Sequence, residues 1–436
     1  MAQKYGVIIV GGGVAGVNAA VEAKSVHPSS SVALVADEST VYPRSSLTVT
    51  ISGLVKSVDD VSIFSRNSLR SLGIKPFFSR KAISLEPDDR AITLEDSDGE
   101  KSFEYRRLVL ATGSVPALPR VPGLDLNGVF SIKWIEDALR LSSLAKPGMK
   151  ACVVGAGFIG LEVAQALFEC GLKVTLIEMQ PRILPGLLES NLSAKVEEQV
   201  ERFGLEVLTS SLLEEIRGKS RVEYLSVNDR RLKADLVVLT TGVKPNVELA
   251  VRAELKLGRT GAIATDNNLR TNIEPIYAAG DCAETLDLVS RKPLYRPLGT
   301  VAARSGEVAG SNAAGKRREY SGYLRRQYDR IFGMEIVSMG LSTQQAEGQG
   351  IKAEAVSIEA PHPSDPVLSI LRPSGTLLNA VIEKNSQRII GWQAIGKPIR
   401  TSWYSQFLEE LIEREEKLSS IQDFGLRVGQ REHSEK

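Results

Sequence analysis

One pattern occurs twice in this chain and constrains the fold more than any other feature: a short strand, then a glycine turn, then a helix. The first copy starts with YGVIIV (5–10) and the second with ACVV (151–154). Both strands are apolar runs without alternation, which is typical of parallel strands buried on both faces. Each unit also has a later strand that ends in Thr-Gly, RLVLATG (107–113) and ADLVVLTTG (234–242). The chain is therefore predicted to be an α/β protein with an internal duplication.

Each glycine turn has the spacing G-x-G-x-x-G, and each part of that spacing has a physical role. The first glycine permits a tight turn, the second lets the backbone approach a pyrophosphate, and the third lets helix and strand pack closely. The helix that follows offers unpaired N–H groups and the positive end of its dipole to phosphates. We therefore predict two Rossmann-like dinucleotide sites. Their predicted cofactor-binding residues are Gly11, Gly13, Ala15 and Gly16 in the first turn and Gly155, Gly157, Ile159 and Gly160 in the second.

An acidic residue that binds a ribose hydroxyl is expected about 20 residues after each turn. The candidates are Asp37 and Glu38 in the first unit and Glu178 in the second. A carboxylate accepts hydrogen bonds from a 2′-hydroxyl but repels a 2′-phosphate, so the second site favours NAD(H) over NADP(H), a preference that Arg182 can soften. A single glycine turn is weak evidence, because such turns are common. Two dinucleotides on one chain indicate electron transfer between them, with flavin as the expected hydride acceptor.

With these units in place, the chain resembles the pyridine nucleotide-disulfide oxidoreductase family. Within that family it looks like the branch of coenzyme A-disulfide reductases, NADH oxidases and NADH peroxidases. The likeness covers about residues 5–400. The motifs that carry it are LATG (110–113), GFIGLE (157–162), TTGVKPN (240–246), AAGDCAE (278–284) and RPLGTVAARSG (296–306).

The resemblance implies FAD at the first glycine turn and NAD(P)H at the second. It implies that Phe158 covers the flavin face until nicotinamide displaces it, and that Glu162 hydrogen-bonds the nicotinamide side. It places Asp281 at the ribityl and pyrophosphate part of FAD. The other residues that it assigns to the cofactors are Arg44, Thr112, Gly113, Gly242, Gly280, Leu298, Gly299 and Thr300, with Leu298 to Thr300 nearest the flavin ring.

One position departs from the family pattern. The segment YPRSSLTVTISG (42–53) aligns with the one that carries the redox cysteine in this branch, and Ser45 stands where that cysteine is expected. A serine hydroxyl forms no mixed disulfide, sulfenic acid or charge-transfer thiolate. Cys152 and Cys170 are expected to be small core residues, which leaves Cys282 as the candidate substitute. The segment 423–429 also lacks the tyrosine and proline of the family's C-terminus, which weakens the expectation of a coenzyme A pocket.

The expected domain organisation follows the same resemblance. The expected third domain, residues 319–425, resembles the domain that forms the homodimer interface in this family through GLSTQQAEGQGI (340–351). The alternative is that this region forms a lid over the FAD domain of its own chain. The chain should return to the first unit at EPIYAAGDCAE (274–284). A polar, disordered end is expected from Gln430. The expected boundaries are 1–114 with 244–318 for FAD, 115–243 for NAD(P)H, 319–425 for an α+β dimerisation domain and 426–436 for a tail.

Composition argues against several other classes of protein. A net charge of +1 gives no electrostatic reason to expect nucleic acid or an anionic membrane as a partner. Three cysteines and three histidines without ligand spacing predict no metal site, and the cysteine usage fits a reducing compartment. No stretch reaches the ~20 apolar residues of a membrane span. Four glycines in six residues argue against a signal peptide at the N-terminus, so a cytoplasmic protein is expected.

Three functions fit this sequence. The first is an FAD-dependent NAD(P)H oxidoreductase of the NADH oxidase or dehydrogenase type. It passes hydride from NADH to FAD and on to oxygen, quinone or another small acceptor, without a redox cysteine. The second is a reductase of coenzyme A disulfide or polysulfide that uses another thiol. The third is a non-catalytic flavin-based sensor that reports redox state to a partner.

Overall fold

The computed structural model describes residues 3–359, 376–396, 408–424 and 427–431. Its strands in chain order are β1 (Gln3–Val10), β2 (Val32–Ala36), β3 (Ile74–Phe78), β4 (Lys81–Glu86), β5 (Ala91–Asp96), β6 (Gly99–Leu110), β7 (Ser114–Pro116), β8 (Val129–Ser131), β9 (Lys150–Val154), β10 (Lys173–Ile177), β11 (Glu206–Leu208), β12 (Leu213–Arg217), β13 (Tyr224–Val227), β14 (Arg230–Lys233), β15 (Leu236–Leu239), β16 (Val243–Pro245), β17 (Ile276–Ala278), β18 (Thr285–Leu286), β19 (Pro293–Leu294), β20 (Arg326–Ile331), β21 (Met334–Gly340), β22 (Ala353–Glu359), β23 (Leu377–Glu383), β24 (Ile389–Gly396) and β25 (Arg427–Arg431).

The helices lie between these strands, and no helix in the described ranges is long and apolar enough to cross a membrane. The α-helices are α1 (Val14–Val26), α2 (Ser46–Ile51), α3 (Arg66–Ser71), α4 (Ile135–Leu144), α5 (Phe158–Glu169), α6 (Ser190–Arg202), α7 (Glu248–Arg252), α8 (Gly299–Ala313) and α9 (Thr343–Gly348), with shorter 3-10 helices at Val58–Val61, Gly280–Cys282 and Leu418–Phe424.

The first sheet is built around the first glycine turn. Its order is β3-β2-β1-β6-β5-β4, with β17 also paired to β6. Strands β1, β2, β3 and β17 are parallel to their neighbours, while β4, β5 and β6 form antiparallel hairpins. The pairing of Ile276 with Leu108 and of Tyr277 with Val109 confirms the predicted return of the chain to this unit.

Helices α1 and α8 pack against each other on one face of the first sheet, and two glycines of α8 allow this close approach. A Cβ on Gly306 would lie 2.9 Å from the carbonyl carbon of Ala15. A Cβ on Gly310 would lie 2.7 Å from the Cα of Ala19. These separations are below normal van der Waals contact, so the positions need glycine. The N-termini of both helices consequently reach the same end of the sheet.

The second sheet repeats the plan of the first. Its order is β11-β10-β9-β15-β8, and all its pairings are parallel. The strand before each glycine turn is central: β1 lies between β2 and β6, and β9 lies between β10 and β15. The predicted α/β fold with two Rossmann-like units is thereby confirmed. Strands β7 and β16, on the two links between the units, pair antiparallel, so the outgoing and returning chain run side by side.

The third sheet is antiparallel, with the order β20-β21-β24-β23-β22-β25. Its core includes Trp392, which has no exposed surface. Strand β25 pairs with β22 through Arg431, so the disordered end expected from Gln430 is wrong for its first two residues. Residues 432–436 of that segment lie outside the described part of the chain.

The third sheet is held against the second unit by buried polar contacts. The carboxylate of Glu189 accepts hydrogen bonds from Thr343 N at 2.9 Å and from Gln393 Nε2 at 3.1 Å. Further along, Phe332 N donates to Gln165 Oε1 at 2.8 Å, and Gln199 Nε2 donates to Phe332 O at 2.9 Å. These bonds fix strand β20 beside helix α5, which carries the second glycine turn.

Candidate active site

The two glycine turns have the same geometry. Gly11 has φ +123° and Gly155 has φ +105°, in the region that disfavours residues with a Cβ. The third glycines touch the first. A Cβ on Gly16 would lie 2.9 Å from the carbonyl carbon of Gly11, and one on Gly160 would lie 3.0 Å from that of Gly155. Both positions therefore hold the helix against its own turn.

The middle glycines differ from the others because they have no neighbour. A Cβ on Gly13 or on Gly157 would meet no atom within 4 Å. Both residues are the N-caps of their helices, and glycine has no side chain that could bond to the first N–H groups of the helix. The free N–H groups of α1 and α5 therefore open onto space that a pyrophosphate can enter. Both turns fit a dinucleotide.

A cavity of about 140 Å³ lies beside the first turn. Among its lining residues are Gly11, Thr112 and Asp37, which three separate sequence patterns had indicated. Asp37 directly follows β2, just as Glu178 directly follows β10. Asp37, one of the two acids predicted for the first unit, therefore lines the cavity beside the first turn.

Glu38, the alternative to Asp37, is engaged elsewhere. Arg44 Nη1 and Nη2 donate to its two carboxylate oxygens at 2.8 and 2.6 Å, and the Tyr42 hydroxyl donates to it as well. The Arg44 guanidinium also lies 4.8 Å from the centre of the Tyr42 ring and donates to the carbonyl oxygen of Lys133. Burial raises the pKa of Tyr42, which keeps this hydroxyl a hydrogen-bond donor. Glu38 is therefore bound to Arg44 and Tyr42, whereas Asp37 lines the cavity.

Asp281 lies at the centre of a second polar group. Ser114 Oγ donates to Asp281 Oδ2 at 2.8 Å, Lys133 Nζ donates to Ser114 Oγ at 2.6 Å, and Lys133 Nζ lies 3.9 Å from Asp281 Oδ2. The buried Tyr295 hydroxyl is close to both Ser114 and Asp281. Burial lowers the pKa of Lys133, against the opposing effect of Asp281. Ser114, Lys133 and Tyr295 could not be found from the sequence, because no motif joins them to Asp281.

Three segments assigned to FAD meet near this group. A Cβ on Gly280 would lie 2.7 Å from the Cβ of Ala15 and 3.7 Å from that of Ala302. The first glycine turn, the Gly280 turn and the start of α8 therefore converge. Leu298 precedes α8, and Gly299 and Thr300 begin it at exposed positions. Thr112 Oγ1 donates to Asn246 O at 2.7 Å, and Gly113 and Gly242 have φ +73° and +93°.

The second turn is completed by Glu178. Its carboxylate is buried and accepts hydrogen bonds from Ala156 N and Gln180 N, each at 2.8 Å. The acid is thus fixed against the glycine turn itself. Ile159 in the turn and Met179 directly after Glu178 are 51% and 63% exposed, so both apolar side chains are accessible from solvent.

Glu162 lies one turn after Phe158 on α5, and a carboxylate that the sequence did not indicate is in contact with it. Asp329 of β20 and Thr48 of α2 are its polar neighbours. Burial, and after it the neighbouring Asp329, raises the pKa of Glu162 to about 9. Asp329 could be recognised only from the packing of the third sheet against α5.

Ser45 is the exposed N-cap residue of α2, without a capping hydrogen bond from its side chain. Of the three cysteines, Cys152 and Cys282 are buried and Cys170 is partly buried. Cys282 is fully buried, with its Sγ near Leu110 O at 3.4 Å and Ala279 O at 3.3 Å, and burial raises its pKa. Burial likewise raises the pKa of Cys152 and of Cys170. All three groups are therefore thiols at neutral pH, which is the less reactive form.

Metal ligands are not clustered in the described part of the chain, where no group of three or more His, Cys, Asp or Glu side chains could hold an ion.

Together, the duplicated sheets and the two open glycine turns define a two-dinucleotide oxidoreductase. The chain belongs to the pyridine nucleotide-disulphide oxidoreductase family, whose profile matches residues 5–297. It is an FAD-dependent NAD(P)H oxidoreductase.

Individual relatives agree with this assignment. A protein named NADH oxidase from Methanocaldococcus jannaschii is 35% identical over 344 residues, which are 78% of this chain and 77% of that protein. The structure of an NAD-dependent persulfide reductase from A. fulgidus superposes with a TM-score of 0.89 at 31% identity, covering 96% of this chain and 78% of that one. The water-forming NADH oxidase from Lactobacillus brevis, bound to NADH, gives a TM-score of 0.86 at 25% identity, with coverages of 96% and 92%.

Proposed function

We propose that this enzyme oxidises NADH and passes the electrons through FAD directly to oxygen, quinone or another small acceptor, with no cysteine intermediate. The observation that carries this proposal is Ser45, which stands where the resemblance to the family leads us to expect the redox cysteine. Burial raises the pKa of each of the three cysteines, which disfavours the thiolate that a substitute would need.

When bound, FAD supplies the hydride-accepting chemistry, and the protein supplies positions and charges. In this proposal Gly13 and Gly157 give the two pyrophosphates access to the N-termini of α1 and α5. Asp37 binds the ribose at the first site, and Asp281 binds the ribityl region together with Lys133. The remaining roles follow the family assignments: Phe158 as the gate, Glu162 at the nicotinamide, and Leu298 to Thr300 along the flavin ring.

We propose NADH as the preferred donor. The carboxylate of Glu178 is held at the end of β10 by two backbone N–H groups, so it cannot swing away from a ribose at that site without losing both bonds. A 2′-phosphate there would meet this fixed negative charge.

The decisive experiment is an anaerobic titration of the purified protein with NADH, followed by absorbance and then by admission of air. We expect the flavin spectrum to bleach after one equivalent, without a long-wavelength thiolate band, and to recover in air with peroxide formed. Consumption of a second equivalent before bleaching would support the coenzyme A-disulfide or polysulfide reductase alternative, which the persulfide reductase relative favours. A flavin that stays oxidised would support the sensor alternative.

The variant Ser45→Cys tests whether position 45 lies at the flavin. We expect S45C to gain the long-wavelength thiolate absorbance and to take up more than one equivalent of NADH, because a cysteine thiolate beside a flavin forms a charge-transfer pair. Ser45→Ala is the matched control and should titrate like the wild type. An S45C protein with the wild-type spectrum and stoichiometry would contradict the placement of residue 45.

The larger organisation is also a proposal. We divide the chain into residues 1–114 with 244–318, residues 115–243 and residues 319–425, supported by the pairing of β7 with β16 at the two links. We propose that the third of these parts makes a homodimer, which light scattering of the purified protein would test. The three unpaired thiols suit the reducing cytoplasm.

A further inference from the structure

One segment of the first unit packs into the second. Residues 38–51, which we call the crossing segment, lie between β2 and β3, and these two strands are neighbours in the first sheet. The apolar side chains of the segment are nevertheless buried in the core of the second unit, where Tyr42, Leu47 and Ile51 cluster with Ile135, Ala138 and Leu141 of α4. The segment therefore belongs to one unit by sequence and to the other by packing.

A polar joint attaches the start of the crossing segment to the second unit. Ile135 N, at the start of α4, donates to the Tyr42 hydroxyl at 2.9 Å, and Arg44 Nη1 donates to Lys133 O at 3.1 Å. The same guanidinium donates to both carboxylate oxygens of Glu38, at 2.8 and 2.6 Å. Glu38 is two residues after β2. Arg44 therefore connects the end of a first-sheet strand to the backbone that precedes α4.

The other end of the crossing segment is attached as well. Cys170, the C-cap residue of α5, donates from its Sγ to Ile51 O at 3.5 Å. Helix α5 begins at the second glycine turn, while Asp37, directly before the segment, lines the cavity beside the first turn. The crossing segment therefore connects the elements that carry the two nucleotide turns.

The joint is adjacent to the two strands on which the chain passes between the units. Strands β7 and β16 have three residues each and pair with each other, a narrow link that by itself leaves the units free to rotate. Lys133 accepts from Arg44 through its backbone, and its Nζ donates to Ser114 Oγ of β7 at 2.6 Å. The joint therefore braces this link from the side of the first unit.

We propose that Arg44 and Glu38 are positioning residues, which fix the angle between the two nucleotide units for hydride transfer from NADH to FAD and bind neither nucleotide. Such a transfer needs the two reacting atoms about 3–3.5 Å apart. Each dinucleotide is held at its own glycine turn, so this distance depends on how the units are set against each other. The inference rests on the NADH-to-FAD step of the proposed function and is independent of the final acceptor.

Arg44→Met tests the joint, because it keeps much of the length of the side chain and removes its donors. We expect the limiting rate of flavin reduction at saturating NADH, measured anaerobically by stopped flow, to fall about 10-fold to 100-fold. The Kd for NAD⁺ and the FAD content should stay within about twofold of the wild type, since the residue acts on the rate and not on binding. A residue that acted only on stability would leave the limiting rate of the folded protein unchanged.

Arg318→Met is the matched control. The Arg318 side chain is 32% exposed, against 34% for Arg44, but its partners Glu22 and Glu307 lie on α1 and α8 of its own unit. This variant should reduce its flavin at the wild-type rate. Glu38→Ala should be as slow as Arg44→Met, and the double variant should be no slower than either, because the two residues act as one joint.

A distance measurement examines the angle directly. Spin labels on keto amino acids at the exposed positions of Lys101 and Lys219, one in each unit, spare the three native cysteines. Pulsed electron paramagnetic resonance should give a narrow distance distribution in the wild-type holoenzyme and in Arg318→Met, and a broader one in Arg44→Met. Arg44→Lys keeps one donor group and should give an intermediate width, so it carries the same test if Arg44→Met does not fold.

Three results would overturn the inference. They are a wild-type rate of flavin reduction in Arg44→Met, weaker binding of FAD or NAD⁺ in Arg44→Met or Glu38→Ala, and a distance distribution that stays narrow in the Arg44 variants. A wild-type protein that NADH does not reduce would instead refute the proposed function. The distance distributions would then still decide whether the joint fixes the two units.

Discussion

Gly157→Ala separates nucleotide binding from folding at the second glycine turn. A Cβ at this position meets nothing within 4 Å, and its backbone has φ −75° and ψ −177°, which alanine adopts without strain. We therefore expect the free energy of unfolding to stay within about 0.5 kcal/mol of the wild type, or to rise slightly as the unfolded chain loses freedom.

The same methyl group occupies the space through which a pyrophosphate reaches the N-terminus of α5. Hydrogen bonds to a charged group contribute about 1.5–3 kcal/mol each. Loss of one such bond raises the Kd for NADH about 10-fold to 100-fold, since every 1.4 kcal/mol is a factor of about ten. Calorimetry with NAD⁺ or NADH measures the affinity, and urea denaturation measures the stability.

Two other glycines provide the comparison. A Cβ on Gly160 would lie 2.9 Å from Thr240 Oγ1 and 3.0 Å from the carbonyl carbon of Gly155, so Gly160→Ala should destabilise the fold by about 1–3 kcal/mol. Gly348→Ala, in α9 with no atom within 4 Å, should change neither quantity by much. NADH binding by Gly157→Ala as tight as that by the wild type would refute this role of Gly157, and so would a loss of stability as large as that of Gly160→Ala.

Three further results are expected. Glu178→Gln should raise the affinity for NADPH relative to NADH by roughly tenfold, because it removes the fixed charge at the ribose; an unchanged ratio from paired Kd measurements would refute this. Gly310→Ala should lower the free energy of unfolding by about 1–3 kcal/mol in urea, since its Cβ overlaps the Ala19 backbone; wild-type stability would contradict the α1–α8 packing. The pKa of Glu162 is raised on folding, so its stability contribution is present at acid pH and is lost as pH rises from its ordinary value through the raised one. Glu162→Gln should therefore be more stable relative to the wild type at alkaline than at acid pH, and a constant difference across the pH range would argue against the raised pKa of Glu162.

Local patterns in the sequence correctly predicted the backbone geometry of the two glycine turns. Gly11 and Gly155 stand where the backbone has positive φ, and Gly16 and Gly160 stand where a helix touches its own turn. Each of these requirements involves residues that are close in sequence, so the glycine spacing alone is enough to predict the turn. The return of the chain at β17 was also predictable, because its Thr-Gly-like stop repeats that of the earlier strands.

Other members of the candidate site left no such trace. Ser114 and Asp281 are 167 positions apart, and Glu162 finds Asp329 on a strand of a different sheet. Whether Asp37 or Glu38 lines the first cavity was likewise undecided until Arg44 was seen to bind Glu38.

The sequence by itself determined the duplicated α/β units, the spacing of their glycine turns and the serine at position 45, because each of these is a property of a short segment. Only the tertiary structure decided which distant side chains share a site. Sheet order and helix packing bring them together, and the residues next to a side chain in sequence do not indicate its distant partner.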